Sequence, residues 1–179
     1  MDDAVHSLVE AIHASPVRTV LAVTGAGSQA LAWLLGVGGA SRTVLEATIP
    51  YAQTAFIDYA GRSPGEFASP DAASALAGKA LERASILVED GITVVGIGCA
   101  ATIATDRLKR GEHHAFVSWA TTTGITTHAL HIEKGARDRA GEEALVSRLI
   151  LNVLAEASGV ESRLPLDLRP GEQLNVVAS

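Results

Sequence analysis

Apolar positions along the chain follow two spacings, one helical and one extended. Residues 2–14 place Val5, Leu8, Val9 and Ile12 on one helical stripe, with Asp2 and Asp3 at its positive end and Pro16 just beyond it. Residues 17–23 (VRTVLAV) are short, apolar and rich in β-branched side chains, which predicts a strand covered on both faces. From Ser28 the run SQALAWLLG predicts a helix ending at Gly36. Thr43 to Ile49 predicts a second strand, stopped by Pro50, and Tyr51 to Tyr59 a helix. The turn-rich stretch 61–70 leads into Ser69-Pro70-Asp71, where serine caps a helix and proline suits its first turn. That helix, running to about Leu87, has a narrow face of Ala73, Leu76, Ala80 and Ala84, small enough for close approach to a sheet.

Ile92 to Ile97 predicts a third buried strand, with Gly98 to Thr102 as the loop after it. Residues 106–114 read as a charged turn, and 115–121 and 125–133 as an antiparallel pair around Gly124. A last helix at about 138–157 turns Leu145, Leu149, Val153 and Leu154 inward and Arg148, Asn152 and Glu156 outward. Residues 159–179 lack periodicity and read as a C-terminal tail behind one domain, 1–158. Strands separated by helices, then a late strand pair, predict an α/β fold. It is a three-layer α/β/α sandwich with a mixed, partly parallel sheet, in which 17–23 and 92–97 are central.

Composition narrows the function classes. The 179 residues are 47% hydrophobic and 19% charged, which suits one folded domain and excludes a disordered chain. A net charge of −6 without a basic patch argues against a nucleic-acid partner. A single cysteine, Cys99, excludes a disulfide framework and a thiolate zinc site. Residues 19–41 carry no charge, but five glycines with Thr24, Ser28 and Gln29 interrupt the run, so it is no spanning helix. The expectation is a cytoplasmic domain without a membrane partner, with a homo-oligomer left open.

Two segments share a design that suits chemistry: an apolar strand running into a glycine-bearing loop, at 20–28 (VLAV–TGAGS) and 94–102 (VVGIG–CAAT). In open α/β sheets ligands collect at the carboxyl ends of strands, and a loop opening a helix offers free N–H groups to an anion. Gly25, Gly27 and Ser28 would supply those groups, and Gly96 and Gly98 would let a second backbone segment approach. The Gly-x-Gly lacks the third glycine of the dinucleotide fingerprint, and no Gly-Lys-Ser/Thr follows. Tight turns and an anion cradle therefore both stand. Thr24 and Ser28 read as strand end and helix cap, or as hydroxyls that need a base brought by the fold. Cys99 reads as a buried thiol, or as a thiolate held after a strand. His128 and His131 point to opposite faces of a strand and share no metal, while His113 and His114 fall in the charged turn, all four reading as surface histidines. Arg137, Asp138 and Arg139 form a charge cluster in which one arginine can face an anionic ligand. No metal site and no cofactor are expected.

Several strings carry a resemblance. GVGGASRTVLEATIPYAQ (36–53), Ser69-Pro70-Asp71, VVGIG (94–98) and the Gly135-x-Arg137 pair resemble the C-terminal domain of the competence/damage-inducible protein CinA, over about residues 4–158. GSQALAWLLGVGGAS and TVLEATIPY are similar to the CinA-like N-terminal portion of plant-type proteins that carry a nucleotidyltransferase-like domain. The family includes nicotinamide mononucleotide deamidases. The resemblance implies a nucleophilic serine where this chain has Thr24, a site tyrosine at Tyr51, and a lysine where this chain has Phe56. The family's Gly-Ile-Ala-Gly-Pro-Gly becomes residues 96–101, losing the proline and a glycine. Without serine and lysine the deamidase constellation is degenerate. The expectation is a small anionic or nucleotide-like ligand held by backbone N–H groups of Gly25, Gly27 and Ser28 with Tyr51, near Gly96, Gly98 and Cys99, and more weakly by Arg137. An amidohydrolase using Thr24 and Tyr51 is the alternative, and an assembly or regulatory module a third.

Overall fold

A computed structural model describes residues 1–106 and 111–178. The elements run α1 (Asp3–Ala14), β1 (Arg18–Thr24), α2 (Ser28–Gly36), β2 (Val44–Thr48), α3 (Gln53–Ala60), α4 (Pro70–Ile86), β3 (Val94–Thr102), β4 (His113–Thr121), β5 (Gly124–Ile132), α5 (Arg139–Ala157) and β6 (Gln173–Ala178). The strands form one sheet in the order β2-β1-β3-β4-β5-β6. β1 pairs parallel with β2 and β3, and the three later contacts are antiparallel. The chain is therefore a three-layer sandwich on a mixed sheet, and β1 and β3 are both interior.

The two faces of the sheet are covered differently. Val95, Ile97 and Cys99 of β3 join Leu21 and Val23 of β1 under α1, α2 and α5, with Leu149, Ile150 and Val153 among the buried α5 residues. On the opposite face Ala22 and Ala100 meet Ala72, Ala73 and Leu76 of α4 and Phe56 of α3. Period-two alternation along β3 sorts these sets, as the pleat requires. Three helix starts are capped as their sequences dictate. Asp2 accepts from the Val5 N–H at 2.8 Å, Ser69 from Ala72 at 3.1 Å, and Asp138 from Gly141 at 2.8 Å.

β3 runs on through Thr102, so Gly98 to Thr102 is strand and not the expected loop. The glycines do not end the strand; they admit α4. A Cβ on Gly96 would lie 2.1 Å from the Ala77 carbonyl oxygen, and one on Gly98 2.3 Å from that of Ala73. The helix backbone therefore rests directly on the strand.

Of the expected charged turn, residues 107–110 lie outside the described residues, while His113 and His114 open β4. The segment expected as a tail packs onto the domain. Leu164 is buried, and Asn152, expected to face outward, is buried with its side chain bonded to both the N–H and the carbonyl of Leu164. β6 then adds to the open edge of β5. Two paired groups on the main chain, rather than apolar periodicity, fasten this segment. Among the described residues, no helix is long and apolar enough to cross a membrane.

Candidate functional site

β1 lies where the connections diverge: the chain leaves it through α2 on the α5 face, and returns from β2 to β3 through α3 and α4 on the other. The carboxyl ends of β1 and β3 flank the crevice this divergence opens, the usual ligand position in such sheets. A cavity of about 300 Å3 lies there, at the small end of the range for ligand pockets. Thr24 and Gly25 form its wall at the end of β1, and Ala101, Thr102, Ile103 and Thr105 its wall at the end of β3. Tyr51, Gln53 and Phe56 enter from the start of α3, Phe67 and Ala68 from the loop before α4, and Arg139 from the first turn of α5. A side chamber of about 80 Å3 shares Thr24, Gly25, Tyr51 and Arg139, and adds Ser28, Ile49 and Glu143.

Close backbone approach builds this end of the sheet. Gly25 has φ +84°, and a Cβ there would sit 1.8 Å from the Ala101 carbonyl oxygen. Only glycine lets the turn after β1 lie against the end of β3. Phe56 is 1% exposed and meets Phe67 edge to face, ring centroids 5.4 Å apart. The His114 Nε2–H donates to the Ala68 carbonyl at 3.0 Å, fixing that lip of the cavity from β4. Arg139 donates to the Ala104 carbonyl at 2.5 Å. Tyr51 is 65% exposed at the mouth.

The expected site residues divide. Thr24, Gly25 and Tyr51 come together at the main cavity, and Ser28 joins them at the side chamber. The open helix start expected at Gly27 and Ser28 is filled from within the chain. Glu143 accepts from the Gly27 N–H at 2.9 Å, the Ser28 hydroxyl at 2.9 Å and the Gln29 N–H at 3.1 Å. Ser28 is thus the first helical residue and a donor to the cap rather than the cap itself, and the dipole end of α2 already faces a carboxylate.

Gly96 and Gly98 face α4 and not a ligand. Cys99 is fully buried against Ala26, and burial, reinforced by Glu143, pushes its thiol up, away from a reactive thiolate. Arg137 makes a two-point pair with Glu172, at 2.9 and 2.7 Å, and a third bond to the Asp167 carbonyl. It fastens the C-terminal segment, and among the described residues Arg139 is the arginine that lines the cavity.

The histidines are also placed differently from expectation. His113 is buried against Glu142, and His128 is buried 3.2 Å from Glu156, because both sit on inward positions of sheet strands. His131 stays partly exposed between Glu112 and Glu133. Among the described residues no group of three or more His, Cys, Asp or Glu side chains is placed to hold a metal. Phe67, Ala68, Gln53, Ile103 and Glu143 were not singled out from the sequence. They reach the site from four separate segments, and no local spacing marks them.

No family model and no curated protein matches the chain. Solved structures do. A competence-damaged protein (CinA) superfamily protein from Escherichia coli matches with TM-score 0.69 at 17% identity, covering 86% of this chain and 88% of that one. A competence/damage inducible protein from Agrobacterium tumefaciens matches with TM-score 0.72 at 15% identity, covering 88% and 97%. A CinA superfamily protein from Klebsiella pneumoniae matches with TM-score 0.71 at 13% identity, covering 88% and 96%. The likeness spans nearly the whole of each partner and lies in the fold. The chain has the fold of CinA superfamily proteins.

Proposed function

We propose that this domain binds a small anionic, nucleotide-like ligand in the cavity at the ends of β1 and β3 and does not deamidate it. The observation that carries the reading is the make-up of the cavity wall. Among the described residues Arg139 is its cation, Thr24, Tyr51, Thr102 and Thr105 bring hydroxyls, and Phe56 and Phe67 form an aromatic side. An arginine gives an anion a charge-assisted, two-point partner, and an aromatic wall suits a planar ring. Among the described residues lining the main cavity there is no His, Lys, Asp or Glu to act as a base. A threonine hydroxyl needs one to become a nucleophile. Where the family resemblance implies a lysine, Phe56 is packed into the interior. Glu143, the acid of the side chamber, has its oxygens occupied by the start of α2.

Thr24 and Tyr51 at one cavity are what favour the rival reading, an amidohydrolase with threonine in place of serine. Ammonia release from nicotinamide mononucleotide separates the two. The wild type is expected to release none above background, and Thr24→Ala to leave that result unchanged. Release that Thr24→Ala abolishes would establish the rival.

A further inference from the structure

We propose that Glu142 and Glu143 are the positioning residues of the cavity, each holding one of its two walls to the first turns of α5. Consecutive residues on a helix diverge by about 100°, so these adjacent carboxylates reach different loops. Glu143 turns to the loop after β1, where it binds the Gly27 and Gln29 N–H groups and the Ser28 hydroxyl. Glu142 is fully buried and turns to the segment after β3. There it accepts from the Ala104 N–H at 2.7 Å and from His113 Nδ1 at 2.8 Å. Arg139, one turn earlier, holds the carbonyl of the same Ala104. Thr24 and Gly25 precede the first anchor, and Ile103 and Thr105 flank the second, all four lining the cavity.

The β1–β3 pairing makes the two walls neighbours, and one turn of α5 fastens the loop that follows each strand. Glu143 is not a ligand contact in this arrangement, since its oxygens already serve the loop. The consequence for binding rests on the ligand reading above; the clamp itself does not.

Amide hydrogen exchange on the full chain tests it. In Glu143→Ala the Gly27 and Gln29 amides are expected to exchange at least tenfold faster, with Ala104 unchanged. In Glu142→Leu, which fills the buried space without an acceptor, Ala104 is expected to speed up while Gly27 and Gln29 do not. Acetate, a free carboxylate small enough for the vacated place, is expected to slow Gly27 and Gln29 again in Glu143→Ala. Nicotinamide mononucleotide is expected to bind Glu143→Ala about tenfold more weakly than wild type, at a temperature where the variant is still folded. Exchange that stays at the wild-type rate at both anchors, or rises evenly over the whole fold, overturns the clamp. A wild type that binds no nicotinamide mononucleotide overturns the ligand reading alone, and the exchange pattern still decides this one.

Discussion

Gly98→Ala is expected to lower the stability of the domain by about 3 kcal/mol, the upper end of the usual range for overpacking. The added Cβ would lie 2.3 Å from the Ala73 carbonyl oxygen and 2.5 Å from the Ala77 nitrogen. Both are helix backbone atoms, which cannot step aside as a side chain does. α4 must lift from β3, and the buried row of Ala73, Ala77 and Ala80 lifts with it. Gly78→Ala is the control on the same helix. Nothing lies within 4 Å of a Cβ there, and replacing glycine within a helix is expected to stabilise by about 0.5–1 kcal/mol. Urea unfolding of the two variants checks both signs, and a Gly98→Ala midpoint equal to wild type would refute the packing.

Phe56→Ala is expected to cost about 3 kcal/mol, the low end for removing a buried aromatic ring. The ring is 1% exposed, bears edge-on against Phe67 and lines the cavity. Its loss therefore opens the cavity toward α4 and leaves Phe67 alone on the aromatic side. Urea unfolding reads the first effect, and weaker binding of nicotinamide mononucleotide the second. A stability loss under 1 kcal/mol would show that the ring does not hold α3 to the sheet.

Much of the fold was legible because it follows from short-range rules. The stripe of α1, the Ser-Pro-Asp start of α4 and the apolar run of β1 each state their element within a few residues. The small-residue face of α4 announced a close approach to the sheet. What it did not announce was the partner. Gly96 and Gly98 share a face of β3 at period two, opposite that helix, and their missing Cβ atoms were read as room for a ligand. The C-terminal segment escaped for another reason. Asn152, Leu164, Arg137 and Glu172 fasten it through polar pairs far apart in sequence, which leave no periodic trace.

The site was legible only where it lies on strand ends. Topology and resemblance pointed to Thr24, Gly25 and Tyr51, and these three line one cavity. The start of α2, where an anion was expected, is filled by Glu143 reaching across from α5, and the arginine lining the cavity among the described residues is Arg139. Charge clusters do not reveal which member turns inward. Arg137 and Arg139 are two residues apart on the approach to one helix, yet one pairs with Glu172 and the other lines the cavity.

Titration of the full chain with inorganic phosphate, nicotinamide mononucleotide and ADP-ribose, followed by amide NMR, bears on ligand binding at this cavity. Shifts are expected at residues 24–25, 51–53 and 101–105, which line or adjoin the cavity. They are expected to be larger for the nucleotides than for phosphate, because only the nucleotides carry a ring to meet Phe56 and Phe67. Arg139→Ala is expected to weaken the binding by about tenfold or more, the effect of losing a hydrogen bond to a charged group. If none of the three moves those signals at millimolar concentration, or if Arg139→Ala binds as tightly as wild type, the cavity is not an anion site.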